Sequence, residues 1–402
     1  MASLPVVSGP VGPAPEAPAR AGDSTPAEDD WRWQARHTLR GLDALERALR
    51  LTDAEREGIR RAEAGGFPIA ITPHTLGLID PRDPACPIRR QVVPVAAEAA
   101  EVPGDLRDPL GEEAHEVAPE LVRRYPDRVL LLATDRCAVY CRFCTRSRMV
   151  GDGGGARSLA RLEPAFRWIE AHPEIQDVIV SGGDPLVMAT SRLRPILERL
   201  AGIEHVLTVR LATRAPVTIP QRVTDELCAA LRAAHPALWV MTHFNHPREL
   251  APASTRALAR LVDHGLPVMN QTVLLRGVND DASTLEALFR GLVRRRTRPY
   301  YLLQADPVRG TGHLRTPLDV GVRLMEQLQG RLSGIALPKL IVDTPGGRGK
   351  VPITPDYVVR RAPGRTTLRT FRGEQVDYVD PPAPSPGPSS TASAEPPGGP
   401  TA

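Results

Sequence analysis

Three of the chain's five cysteines crowd into one stretch, TDRCAVYCRFCTR, from Thr134 to Arg146, spaced C-x3-C-x2-C at Cys137, Cys141 and Cys144. Thiolates so placed serve a metal. A structural zinc ion takes four ligands, usually as two separated pairs, and here Cys86 and Cys228 stand alone. Three thiolates on one loop suit a cubane iron–sulfur cluster with one iron left open to chelate a substrate or cofactor. A zinc site and three unligated thiols are the alternatives.

A second chemical group stands out by its rarity. Of 51 basic residues only Lys339 and Lys350 are lysine, so generic positive charge here is arginine. Lysine offers what arginine lacks, a deprotonatable amine able to form a Schiff base. Lys339 abuts an apolar strand and reads as chance survival. Lys350 ends IVDTPGGRGKVP, whose glycines could form a nest of amides for a phosphate, so phosphate and amine together would suit pyridoxal 5′-phosphate (PLP). The other reading is a plain glycine-rich loop; the GKS/T ending of a Walker loop is missing.

VIVSGGDPL carries Gly182, Gly183 and Asp184, where glycines admit a close backbone approach and a carboxylate can accept from an ammonium, or where the chain simply turns. Asp306 and Asp343 end two further apolar runs. An acidic pair could bind a metal, share acid–base work or clamp a cation, and either residue could merely cap a loop.

The elements that must position these residues are legible between Val129 and Asp343. Apolar runs VLLLAT, DVIVSG, VLTVRLAT, LWVMTHF, PVMNQTVLL, YYLLQAD and KLIVDT alternate with helix-periodic segments such as SLARLEPAFRWIEAH and DASTLEALFRGLVRR. Repeated strand, crossover helix and strand predicts a parallel sheet, as a barrel or partial barrel. Function then gathers at the C-terminal strand ends, where the cysteines, the GGD turn, Thr213-Arg214, His243 to His246, Asp306 and Lys350 all fall. Before this lies a helical then irregular extension over residues 30–120, with Thr52 and Asp53 as helix caps. The ends, 1–29 and 379–402, are rich in Pro, Gly, Ser and Ala and are expected to stay disordered. The barrel is expected over 121–335 and a C-terminal lysine-bearing segment over 336–378.

With 402 residues, 42% hydrophobic and 24% charged, the chain has the makings of a soluble globular protein. Neither an 18-residue apolar run nor a signal-peptide pattern occurs, which points to the cytoplasm and away from membranes. A formal charge of +4 with scattered arginines gives no nucleic-acid surface; the dense run RRRTR, Arg294 to Arg298, reads as the end of a helix. Few, clustered cysteines fit a reducing compartment.

Together, DPACPIRRQVVP, ELVRRYPDRVLLLATDRCAVYCRFCTRSR, VIVSGGDPL, HFNHPRE, NQTVLLRGVND, YYLLQAD and VDTPGGRGKVP resemble the lysine 2,3-aminomutase family of PLP-dependent radical S-adenosylmethionine (SAM) enzymes, over roughly 350 of the 402 residues. The resemblance implies an α/β fold, a partial (β/α)6 radical SAM barrel. It makes Cys137, Cys141 and Cys144 ligands of a [4Fe-4S] cluster and Lys350 the Schiff-base lysine. Arg124 and Arg128 would hold PLP near its phosphate; Gly182, Gly183 and Asp184 would hold the amino group of SAM, and Gln271 would also contact SAM. Arg146 would pair with the substrate carboxylate, and Asp306 and Asp343 with the side-chain ammonium of lysine. The implied reaction interconverts L-α-lysine and L-β-lysine by radical 1,2-amino migration.

Arginine 2,3-aminomutase is the nearer rival, because it could keep the acidic pair; a glutamate-specific relative should lack it. A relative acting on a protein-bound lysine and a non-enzymatic metal-binding module are more distant. The implied partners are a free amino acid, a reductant such as flavodoxin or ferredoxin, and further copies of the chain. Some members carry cysteines for a zinc site between subunits, but Asp281 stands at the first such position and the C-terminal segment has none, so a zinc-braced tetramer is not expected.

Overall fold

A computed structural model describes residues 29–151 and 154–381. Most of both tails expected from the sequence lies outside the described residues; Val379, placed in the C-terminal tail, instead ends a strand.

Six strands, each followed by a helix, and a seventh strand form one parallel array. They are β3 (Arg128–Thr134), β4 (Asp177–Gly182), β5 (Thr208–Ala212), β6 (Leu238–Thr242), β7 (Val268–Leu274), β8 (Arg298–Gln304) and β9 (Lys339–Asp343). Two short strands precede the array, β1 (Glu116–Ala118) and β2 (Leu121–Val122), and β10 (Lys350–Pro352) follows it; these pair antiparallel. The ten strands run in sequence order and the sheet does not close on itself. Its topology is therefore the expected partial (β/α)6 barrel. The array continues beyond residue 335, however: β9 is its last parallel strand.

The apolar runs are continuous, but burial alternates: in β5 and β7 the residues facing the helices are enclosed and those between them are half-buried, so one face of the array stays partly open. Leu131, Val178, Val180, Val209, Leu211 and Val240 pack against apolar stripes of the crossover helices, such as Leu162, Phe166 and Ile169 of helix Leu159–Glu170 and Leu285, Phe289 and Leu292 of helix Ala282–Arg294. Arg294 closes that last helix, where its charge opposes the dipole, as the basic run suggested.

The N-terminal extension has its own core around Leu45, Ile59, Ile71 and Val92. Thr52 caps helix Asp53–Glu63, and Glu55 reaches back to complete a capping box. The same Glu55 accepts both Nε (2.6 Å) and Nη2 (2.7 Å) of Arg89, which is wholly buried. The chain divides into two compact units at Thr354/Pro355. The second contains a three-stranded antiparallel meander, β11 (Val358–Ala362), β12 (Arg365–Arg369) and β13 (Gln375–Val379).

Candidate active site

All thirteen residues to which the resemblance gives a role line one cavity of about 520 Å³, a size suited to small-molecule recognition. The strand ends bring them there: the cysteines follow β3, the GGD turn ends β4, Gln271 lies on β7, Asp306 follows β8, Asp343 ends β9 and Lys350 opens β10.

The three thiols are free and close enough to affect one another. Burial first, then charge on Asp184 and the neighbouring sulfurs, pushes Cys137 upward; burial and Cys141 push Cys144 to about 11. Three half-buried thiolates side by side call for a cationic core. The three sulfurs lie on one loop, feel one another's charge and face the same cavity. The donor set thus fits an iron–sulfur cluster.

The GGD turn is built for closeness between strands. Gly182 has φ +119°, and a Cβ there would run into the carbonyl oxygen of Thr134; at Gly183 it would meet that of Arg136. The amides of Gly183 (2.6 Å) and Asp184 (2.8 Å) donate to those same two carbonyls, fastening the turn to the start of the cysteine loop. Asp184 is buried and its oxygens accept from Leu186 N, Thr213 Oγ1 and Arg214 N at 3.0, 2.7 and 2.8 Å. Burial raises its carboxyl despite these donors. Its carboxylate braces the wall; no sequence signal shows that its oxygens are taken.

The glycine-rich loop is likewise a connection. Gly346, Gly347 and Gly349 have φ of +77°, +75° and +99° and turn the chain from β9 back into β10. Gly346 N donates to Pro109 O (2.9 Å), so that amide is engaged and the nest is smaller than the sequence suggested. Lys350 N donates to the Tyr125 hydroxyl at 2.9 Å.

Lys350 stands opposite Asp343 in the β9–β10 register, and its ammonium is paired with that carboxylate. The other Asp343 oxygen is buried without a hydrogen-bond partner, 3.6 Å from Nη1 of Arg124. Asp306 is raised to about 7 by burial and by Asp343, with Lys350 and Arg124 pulling it back. The two aspartates therefore share one electrostatic neighbourhood, and an ammonium already occupies it. Arg128 packs over the Tyr125 ring (3.9 Å) and donates to Asp127. An amine, an orphaned acceptor and two arginines around a tyrosine are groups that fit PLP.

Arg146 donates from Nε to Glu112 (2.9 Å) and from Nη1 to Ser181 Oγ (3.2 Å). Burial raises the Glu112 carboxyl, but Arg146 and Arg148 outweigh it and hold it below the usual range.

Two further rim residues, His243 and Arg214, line the same cavity. His243, in an edge contact with Phe143, has a buried Nε2 without a partner, and burial followed by the charge of Arg214 drives its ring down to about 3. Arg214, largely but not wholly buried, donates from Nη1 to Cys141 Sγ at 2.7 Å. Glu112, which holds Arg146, carried no sequence signal at all, being 34 residues away.

Residues 131–288 match the Radical SAM superfamily and residues 325–395 match the family described as Lysine-2,3-aminomutase. A protein of Fusobacterium nucleatum named L-lysine 2,3-aminomutase is 43% identical over 88% of this chain and 83% of its own length. The chain belongs to the lysine 2,3-aminomutase family. A second member, from Bacillus subtilis and bearing the same name, is 43% identical over 88% of this chain and 74% of its own. Glutamate 2,3-aminomutase of Clostridioides difficile is 40% identical over 89% and 84%. A solved radical SAM methyltransferase from Sphaerobacter thermophilus aligns with TM-score 0.41 and 22% identity over 55% of this chain and 68% of that one. As a member of this family the chain is an isomerase, and its cofactors are a [4Fe-4S] cluster, SAM and PLP. Its substrate class is an amino acid.

Proposed function

We propose that the chain is an L-lysine 2,3-aminomutase, moving the amino group of L-lysine between carbons 2 and 3. The observation that carries this reading is the acidic pair Asp306 and Asp343, with an ammonium seated on Asp343. Relatives named for L-lysine support it. A side-chain carboxylate in that place would face two buried acids, which disfavours glutamate.

In this reading Cys137, Cys141 and Cys144 hold the cluster, and Lys350 holds PLP, with Arg124 and Arg128 toward its phosphate. Gly182, Gly183 and Gln271 border SAM, and Asp184 stiffens the wall that meets its amino group. When bound, the cluster and SAM supply hydrogen-atom abstraction, and PLP supplies the π bond across which nitrogen can move.

The residues of the chain set the geometry. Arg146, fixed by Glu112, takes the substrate carboxylate through charge-assisted bonds. Asp306 and Asp343 take the far ammonium, so the substrate is held at both ends with carbons 2 and 3 between them. Partial burial of both anchors strengthens each ionic contact.

The decisive experiment incubates reconstituted, reduced protein anaerobically with SAM, PLP and one of lysine, arginine or glutamate, and resolves products by mass spectrometry. β-Lysine alone is expected. β-Arginine alone would keep the mechanism and overturn the substrate.

The working context belongs to the same proposal. A low-potential reductant such as flavodoxin or ferredoxin supplies the electron, the compartment is the cytoplasm, and the chain self-associates as a dimer or larger. Exposed Phe371, Val376 and Tyr378 on or beside the β11–β13 meander support self-association, which analytical ultracentrifugation tests.

A further inference from the structure

Arg214 follows β5 and joins four segments of the chain. Its Nη1 donates to Cys141 Sγ (2.7 Å), and its Nη2 to Gln91 Oε1 (2.6 Å) and Glu249 Oε1 (2.8 Å). Nε donates to the His243 carbonyl (3.2 Å), and the guanidinium lies over the Phe143 ring at 5.2 Å. Its backbone amide is bound by Asp184. A cation so enclosed is costly unless it is paired. Part of that pairing falls on a sulfur of the cysteine motif.

We propose that Arg214 is a positioning residue that fixes Cys141 and sets the reduction potential of the cluster this sulfur helps to hold. The inference rests on the reading of the three cysteines as cluster ligands. A cluster becomes more negative when it accepts an electron. A cation donating to one of its thiolates stabilises that added charge, so it raises the potential, and burial leaves the effect poorly screened. Glu249 acts on the same guanidinium with opposite charge. It is buried and anchored by the amides of Asn245 (2.5 Å) and His246 (3.1 Å), so it does not swing away.

The geometry therefore gives substitutions of opposite sign at Arg214 and Glu249. Arg214→Gln removes the positive charge and should move the midpoint to more negative potential. Arg214→Lys keeps the charge without the fork and should fall between. Glu249→Gln removes the opposing charge and should move the midpoint to less negative potential.

The test is an anaerobic redox titration of the reconstituted full chain without SAM, followed by electron paramagnetic resonance, with iron determined per chain. Equal iron content and this ordered shift are expected. Arg214→Gln with full iron and an unmoved midpoint would leave Arg214 as a structural tie alone and overturn the proposal. Should Arg214→Gln lose iron, Glu249→Gln decides: an unmoved or more negative midpoint overturns it. Failure of the unsubstituted chain to give any [4Fe-4S] signal would instead sink the reading of the cysteines, a result distinguishable from a cluster that forms and ignores Arg214.

Discussion

The Lys350 ammonium is bound to the carboxylate of Asp343, the residue directly across from it in the antiparallel β9–β10 ladder. One short turn thus delivers an amine and an acid proposed to serve different partners, PLP and the substrate. While the amine is free it occupies the acid, and committing the amine to PLP leaves Asp343 available for a substrate ammonium.

Lys350→Arg keeps the charge on Asp343 and removes the reactive amine. Turnover should fall by at least roughly a thousandfold, with the absorbance of the reconstituted cluster unchanged. Product analysis and an absorption spectrum on the same sample check both halves.

Asp343→Asn should weaken lysine binding, because a charge-assisted hydrogen bond of about 1.5–3 kcal/mol is lost, equivalent to a roughly 10- to 100-fold rise in KM. Cluster content should be unaffected. A KM unchanged within error would place the lysine ammonium elsewhere.

Asp306 gives a pH dependence. Its carboxyl is raised from an ordinary 3.8 to about 7, chiefly by burial. A lysine ammonium pairs with the ionised form, so KM for lysine should fall as pH rises through 7, and Asp306→Asn should flatten the profile. Stability runs the other way. A folded value above the unfolded one means that the contribution of Asp306 is full below about pH 4 and is lost as pH rises through 7.

Gly183→Ala puts a methyl group against the Arg136 carbonyl. The start of the cysteine loop must move, at about 1–3 kcal/mol, and iron bound per chain should drop while circular dichroism stays that of the parent.

Arg89→Met strands a buried carboxylate on Glu55. Breaking such a pair costs about 3–5 kcal/mol, and the melting temperature should fall by several degrees. Adding Glu55→Met to it should recover much of the loss.

Much of this was legible in the sequence because its signals are local. Seven apolar runs separated by helix-periodic segments already give a parallel array, and strand ends in such an array share a rim, so Cys137, Asp306 and Lys350 fall on one site by pattern alone. Long-range polar contacts leave no such trace. Arg214 meets Gln91 across 123 positions, and Arg146 meets Glu112 across 34. Glycines mislead for a related reason: Gly182 and Gly183 permit closeness to a ligand, yet the backbone they approach is that of Thr134 and Arg136. A sequence shows that a close approach is permitted, and only the fold shows to what.

The sheet that stays open also has a consequence. Lys350 N meets the Tyr125 hydroxyl, and Asp343 meets Arg124, so residues near β2 and β3 at one end of the sheet touch residues of β9 and β10 at the other. The two ends meet through single contacts, the Gly346 amide on the Pro109 carbonyl among them, where a closed barrel would use a ladder of backbone bonds. A seam of that kind can part by exchanging a few contacts, with no strand pairing broken. Its latch is made of the groups proposed to bind PLP and the substrate, so loading the enzyme and fastening its wall become a single event.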